Sequence, residues 1–350
     1  MKIKVSKKLV IENKAKPIII AEISANHCGK KNLFLKHIIE AKRAGADMVK
    51  IQTYEAEDIT IKSKNSEFKI KSGIWRNKYL WDLYKEAQTP FKWHHDAFKL
   101  AKKINIPIFS TPFSLRAVKF LDKFKPALYK IASFEITDLN LINEIAKRKK
   151  PIILSTGMAK LVEISKAVKE IEKFHNKIII LHCVSGYPTP ESEANINTIN
   201  LLKKKFPGKI LGISDHTNDI NSSLASIVLG AKVIEKHFKI SNKIKSPDSQ
   251  FSLTPVQLKE LKIRSKKIFL SIGKPSDIIK KSEKNSLKLR RSIFAKKNLK
   301  KDTKISYQDI FTKRPLIGIS ADKYYNIIGK KIKIDISKNT PIFKKDIKLK

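Results

Sequence analysis

Short runs of apolar, β-branched residues recur along the first two-thirds of the chain, and each ends in polar residues. They are PIIIAEIS (17–24), MVKIQTY (48–54), PIFSTPF (107–113), ALYKIAS (127–133), PIILSTG (151–157), KIIILHCV (177–184), KILGISD (209–215) and KVIEKHF (232–238). Between them apolar positions fall at helical spacing, as over Leu33–Ala44 and His94–Lys103, and turn signals such as AGA (44–46), NIP (105–107) and LGA (229–231) close the units. Alternating strands and helices predict a parallel sheet. Eight such units over about 260 residues suit a (β/α)8 TIM barrel better than an open doubly wound sheet. No GxGxxG or GxxxxGK[ST] element follows any of the strands, which argues against a dinucleotide fold or a P-loop.

The polar endings carry the chemistry. They bring Glu22, Asn26 and His27; Lys50 and Gln52; Ser110 and Thr111; Lys130, Ser133 and Glu135; Ser155 and Thr156; His182; Ser214, Asp215 and His216; and Glu235 and His237. In a barrel the C-terminal ends of all strands meet at one rim, where active sites are assembled. Eight strands obeying one rule predict an enzyme.

His216 and His237 close consecutive strands, which lie about 4.8 Å apart. Both imidazoles can therefore reach one cation of the Mn²⁺, Co²⁺, Zn²⁺ or Fe²⁺ type, completed by oxygens; two histidines simply bonded to backbone are the alternative. Asp215 should face away from His216 by strand alternation, as a carboxylate that orients a histidine. Lys50 and Lys130 inside a barrel require an anion or a Schiff base. With Ser133, Ser155 and Ser214 they form a cradle suited to a phosphate and a carboxylate. Internal pairing of the lysines with Glu22 or Glu135 is the competing arrangement, and either glutamate is also a candidate acid or base. Cys183 reads as buried packing, and His94-His95 as a surface or packing feature. His27 and Cys28 stay open between ligand contact and loop structure.

After Leu270 the chain changes character. GKPSDIIKKSEKNSLKLRRSI reads as helix and linker, and from Ser292 the runs SIFAKK, TKISYQDIFTKRP, KKIKIDI and TPIFKKDI suggest a small β-rich module. The expected division is a catalytic barrel over 1–280 and a linker with the small domain over 281–350. Arg314 stays open between recognition of a carboxylate or phosphate and a surface charge beside Pro315.

Composition changes the picture little. Apolar residues make up 41 % of the chain, enough for a large core. No stretch of about 18 apolar residues offers a spanning helix. The basic start MKIKVSKKLVIENKAK lacks the apolar stretch of a signal peptide, and two cysteines are too few for a disulfide framework; a cytoplasmic protein without membrane partners is expected. The net charge of +42 suggests nucleic acid at first. Yet 66 lysines accompany only eight arginines, spread over nearly every predicted element, whereas backbone readers concentrate charge and favour arginine. No nucleic-acid partner is expected, though the positive field would draw anionic substrates. A lysine Schiff-base aldolase using Lys130 or Lys50 is the rival enzymatic reading.

In order and spacing, IIAEISANHCG (19–29), VKIQTY (49–54), FSTPFS (109–114), YKIASFE (129–135), PIILSTGM (151–158), LHCVSGYPTP (181–190), GISDHT (212–217), VIEKHF (233–238) and TKRP (312–315) resemble the sialic acid synthase family. The resemblance covers nearly the whole chain. It implies a (β/α)8 TIM barrel followed by a small C-terminal β-rich antifreeze-like (SAF, β-clip) domain, a domain-swapped homodimer, and condensation of phosphoenolpyruvate with an N-acetylated amino sugar. SGIWRNKYLWDLYKEAQTP (72–90), YKIASFEITD (129–138) and SPDSQFSL (246–253) look most like the pseudaminate-making branch, implying 2,4-diacetamido-2,4,6-trideoxy-altropyranose as acceptor; the neuraminate- and legionaminate-making branches are the alternative. Carried over by motif, His216 and His237 are the metal ligands, with Mn²⁺ first and Co²⁺ or Mg²⁺ as alternatives. Lys50, Lys130, Ser133, Ser155, Ser185 and Ser214 match phosphoenolpyruvate positions. Glu22, Gln52 and Glu135 match catalytic positions, and Tyr187, Asp248 and Arg314 sugar-binding ones, Arg314 reaching into the partner's barrel. Ser185 stands where neuraminate-making relatives carry asparagine, and KKDT (300–303) replaces a KKGE turn.

Overall fold

A computed structural model describes residues 1–348. The chain divides into two compact units, Met1–Gly273 and a second beginning at Lys274. The first opens with a short antiparallel hairpin, β1 (Lys2–Lys4) and β2 (Val10–Glu12). Eight parallel strands follow: β3 (Ile18–Glu22), β4 (Met48–Thr53), β5 (Ile108–Pro112), β6 (Tyr129–Ile131), β7 (Ile152–Ser155), β8 (Ile178–Cys183), β9 (Ile210–Asp215) and β10 (Val233–His237). They close into a barrel in chain order, with β10 returning to pair with β3. The expected (β/α)8 TIM barrel is the observed fold.

Each strand serves two cores because its side chains alternate. Outward Ile19, Ala21, Val49 and Ile51 pack on helices α1 (Lys31–Arg43) and α4 (Phe91–Lys103). On the opposite side Ile152, Leu154, Ile178 and Ile180 pack on Ile142 and Ile145, and on Ile164 and Ile171. Inward positions are apolar at first: Ile18, Ile20, Met48, Phe109, Leu128, Ile153, Ile179, Ile210 and Val233 form the barrel interior, joined by Ile3, Val5 and Ile11 of the hairpin. That hairpin is absent from the sequence reading, because its strands are three residues each and flanked by lysines. Gly212 faces this interior where chains crowd together: a Cβ there would lie 2.2 Å from Val233 O and 2.6 Å from Leu181 Cδ2.

The second unit has its own core of Ile293, Leu299, Ile305, Ile310, Ile332, Ile336, Ile342 and Ile347. Strands β11 (Ser292–Ala295) and β12 (Ile310–Lys313) pair antiparallel, and single bridges such as Leu299–Ile336 and Lys304–Lys331 complete a short-stranded module.

Candidate active site

Towards the strand ends the inward positions turn from apolar to ionic. Glu22 lies opposite Lys50 in the β3–β4 register, and Glu235 opposite Ser214 in β9–β10. Lys50 Nζ donates to Glu235 Oε1 at 2.8 Å and lies 3.2 Å from Glu22 Oε2. Ser214 donates to the same Glu235 oxygen at 3.0 Å. Lys130 Nζ donates to Ser155 Oγ at 2.6 Å and stands 3.8 Å from Glu235 Oε1. All six side chains are buried.

Burying so many charges is costly unless they compensate one another, and the groups respond by parting. Burial pushes Glu22 up to about 7, Lys50 opposing and the Glu235 charge adding to it. Glu235 falls to about 2, because Lys130, Lys50 and the Ser214 hydroxyl together outweigh its burial. Lys50 suffers burial too, but its two carboxylates lift it above the ordinary lysine value. Lys130 drops to about 8, because burial and the Lys50 charge outweigh the support of the more distant Glu235 and of Cys183 and Glu22. The Glu22 oxygens and Glu235 Oε2 make no hydrogen bond, so acceptor capacity is left over in the cluster.

Beside this cluster lies a cradle. The Gly157 amide donates to Ser133 Oγ at 3.0 Å, and a Cβ on Gly157 would sit 2.2 Å from Ser185 Oγ and 2.8 Å from Ser133 Oγ. Only glycine lets the amide and both hydroxyls gather there. Glu135, on the turn after β6, is raised to about 7 by burial, with Lys130 and Lys50 opposing; its Oε2 is buried without a partner. Gln52 is half-buried on the same face of β4 as Lys50.

The rings of His216 and His237 are 5.4 Å apart. His216 Nδ1 meets Val184 O at 2.9 Å, which leaves its other nitrogen for a ligand. His237 Nδ1 is buried with no hydrogen bond, 3.4 Å from Asp248 Oδ2. Asp248 in turn accepts from the Ala25 amide at 3.2 Å. Tyr187 packs on His216 at 4.4 Å and Phe251 on His237 at 4.8 Å. Among the described residues no set of three or more His, Cys, Asp or Glu side chains is gathered for a metal. The orphaned His237 nitrogen and the free edge of His216 nevertheless fit a divalent cation whose remaining ligands are substrate or water oxygens.

Several expectations change. Asp215 faces away from His216 as alternation predicts, yet it orients no histidine. It accepts from Thr217 N and Oγ1 at 2.9 and 2.8 Å and from Ser223 Oγ at 2.5 Å, with Lys236 3.4 Å away. It thus braces the backbone after His216 rather than the ring. Cys183 is no mere packing residue: it points inward, 3.8 Å from His216 Nδ1, and His216 with Lys130 draws its thiol down to about 7 against burial. His182 points outward to Ala194 O at 2.8 Å, and Ser110 donates to Ile51 O at 3.0 Å, so neither reaches the site. His27 takes the loop-structural role, bonded to the Gly29 amide and set edge-on to Phe34 and Trp93. Asn26 ties its loop to Phe238 O and Ser252 Oγ. His94 is buried and His95 exposed. Arg314 is exposed directly after β12 in the second unit.

Glu235 is the residue whose weight the sequence reading missed. The signal was present, since it precedes His237 by two and therefore shares its face. Phe251 and Trp75 went unnoticed because loop aromatics carry no period.

The NeuB family profile matches residues 37–277 and the SAF domain profile residues 290–348. The chain is 40% identical to the pseudaminic acid synthase of Campylobacter jejuni strain 81-176, covering 92% of this chain and 94% of that one. It is likewise 40% identical to the N,N'-diacetyllegionaminic acid synthase of C. jejuni strain NCTC 11168, over 90% and 95% of the two chains. Among solved structures it superposes on the N-acetylneuraminic acid synthetase of Leptospira borgpetersenii in complex with citrate, with a TM-score of 0.73, 31% identity and coverage of 82% and 95%. With residues 37–277 and 290–348 both matched in this way, the chain belongs to the NeuB family.

Proposed function

We propose that this protein is a pseudaminic acid synthase, condensing phosphoenolpyruvate with 2,4-diacetamido-2,4,6-trideoxy-altropyranose and releasing inorganic phosphate. One observation carries the reading: two buried lysines, a serine–glycine cradle and two histidines close on one rim, in a chain 40% identical to a protein of that name. Lys50, Lys130 and the hydroxyls of Ser155 and Ser214 hold the phosphate and carboxylate of phosphoenolpyruvate, whose negative charge takes over part of the compensation that Glu22 and Glu235 supply. Ser133, held by the Gly157 amide, and Ser185 add hydrogen bonds to the same anion. Gln52, Tyr187 and Asp248 line the acceptor side, and Glu22 orients sugar hydroxyls through its unused oxygens.

C3 of phosphoenolpyruvate forms a bond to the aldehyde carbon of the open-chain sugar, leaving positive character at C2. Glu135 takes a proton from water as that water adds to C2, and this proton ends on the former aldehyde oxygen, which becomes a hydroxyl. The bond from C2 to the phosphate oxygen then breaks, phosphate leaving with the electron pair and taking up the proton that the new C2 hydroxyl loses as it becomes the keto group. Holding both substrates on one rim removes up to about 7–11 kcal/mol of entropic barrier. A divalent cation held by His216 and His237, Mn²⁺ foremost, would supply Lewis-acid stabilisation of charge on the aldehyde oxygen. The protein works as a homodimer in the cytoplasm, with Arg314 of one subunit contacting the acyl group of the sugar in the other.

Incubation with phosphoenolpyruvate, Mn²⁺ and a panel of N-acetylated amino sugars tests this. Rapid phosphate release with the altro-configured trideoxy sugar is expected. Preference for the legionaminate precursor or N-acetylmannosamine would replace the assignment with that of a sister branch. The depressed Lys130 supports one rival, a Schiff-base aldolase, which borohydride trapping in the presence of substrate would expose as a covalent adduct.

A further inference from the structure

Between β4 and helix α3 (Leu80–Ala87) the chain makes a long excursion over the barrel rim. Residues 69–79 fold back on themselves there, with Ile70 N donating to Lys78 O and Asn77 N to Ile70 O, both at 2.9 Å. Lys64 fastens the excursion to α3 through Asp82 at 2.6 Å, and its ammonium lies 4.2 Å over the Tyr79 ring. At the tip stands Trp75. Its indole Nε1 donates to Pro247 O at 2.9 Å, so its one polar atom is satisfied and its orientation fixed. The ring lies 5.3 Å from Tyr187 and 6.3 Å from Phe251, and those two lie 5.1 Å from each other.

Tyr187 and Phe251 in turn rest on His216 and His237. The three rings therefore form one continuous apolar wall running from the histidine pair out to the mouth. Phe251 is buried, while Trp75 is only half-buried and keeps part of its ring open. The neighbouring barrel side chains Glu22, Lys50, Lys130, Ser214 and Glu235 are ionic or hydroxylic. An acceptor with its aldehyde at the histidines must run its far end outward along this wall. Aromatic faces attract C–H bonds and methyl groups and offer nothing to an additional hydroxyl.

We infer that Trp75 is a specificity-determining residue whose ring stacks on the apolar edge of the acceptor sugar, favouring a 6-deoxy sugar with a terminal methyl over its 6-hydroxy counterpart. The inference rests on the synthase reading above and adds the contact that chooses among acceptors. Phosphoenolpyruvate, held by lysines and serines, does not touch this wall.

The test compares wild type, W75A and W75F by phosphate release with two acceptors, 2,4-diacetamido-2,4,6-trideoxy-altropyranose and its 6-hydroxy analogue. W75A is expected to raise the KM for the trideoxy sugar roughly tenfold, to leave the KM for phosphoenolpyruvate within about twofold, and to shrink the preference for the methyl-bearing sugar. W75F, which keeps an aromatic face, retains most of that preference and guards against a folding defect in W75A. Unchanged acceptor KM and preference in W75A, or equal rises in both KM values, overturn the inference while the synthase reading stands. Absence of phosphate release by wild type with any acceptor overturns the synthase reading and the inference with it.

Discussion

Glu22 and Glu235 share one ammonium group and emerge with opposite protonation tendencies, and this has measurable consequences. Glu22 is raised from the ordinary value of 4.5 to about 7, so the folded state holds a proton that the unfolded chain has released. The resulting cost is absent below about pH 4.5, grows through the interval and is complete above about pH 7, reaching a few kcal/mol at most. E22Q should therefore stabilise the fold by roughly 1–3 kcal/mol at pH 8 and by almost nothing at pH 4.5, while turnover falls. Urea denaturation at the two pH values checks this; a larger loss at pH 8 would mean that Lys50 holds ionised Glu22 more strongly than burial opposes it. Glu135 must be ionised to take a proton, and burial sets its pKa to about 7. Turnover should rise through that pH, and E135Q should lose this limb together with roughly a hundredfold or more of kcat. Because Glu22 titrates in the same interval, the profiles of E135Q and E22Q must be taken separately. Above pH 8 the loss of the Lys130 charge should lower kcat/KM for phosphoenolpyruvate, giving a bell-shaped profile whose falling limb K130M lacks.

At the scale of elements, the alternation of a strand decides which residues meet. The eight strands were legible in the sequence because each is a short apolar run bounded by a helix. Their inward ionic ends were legible because lysines and glutamates at the ends of buried strands must meet one another or an anion. Face assignment within the endings was less so: His182 and Ser110 turn outward, as strict alternation against Cys183 and Thr111 requires. What eluded the sequence were contacts set by loops and distant elements, namely Trp75 on Tyr187, Phe251 on His237, and the hairpin residues Ile3 and Ile11 against the barrel interior. None has a period to announce it. Gly212 shows how closely the elements are fitted, since a methyl group there meets Val233 O at 2.2 Å. G212A should cost about 1–3 kcal/mol through overpacking. It should also lower kcat, because it spreads β9 from β10 and with them Ser214 from Glu235. Denaturation and kinetics on the one variant read both effects; unchanged kcat beside lost stability would show that the rim tolerates the displacement.

For the whole molecule, two units with separate hydrophobic cores raise the question of why a barrel with its own apolar core and ionic rim carries a second module at all. The second unit brings Arg314, exposed after β12, in a chain with only eight arginines. The many lysines supply a diffuse field that concentrates anionic substrates, but a field does not position an acyl group; a guanidinium does. In the proposed homodimer each barrel borrows that guanidinium from its partner, and this arrangement predicts complementation between defective copies. R314A lacks the borrowed arginine and E135Q lacks the base, so each homodimer should be nearly inactive. After the two are unfolded together and refolded, half of the dimers are mixed, and each mixed dimer has one barrel with both groups intact. Phosphate release should recover to about a quarter of the wild-type rate per subunit, the fraction set by twofold symmetry and random pairing. If Arg314 serves the barrel of its own chain, no mixed dimer holds an intact site of this kind beyond those already present, and the mixture stays at the average of its two parents.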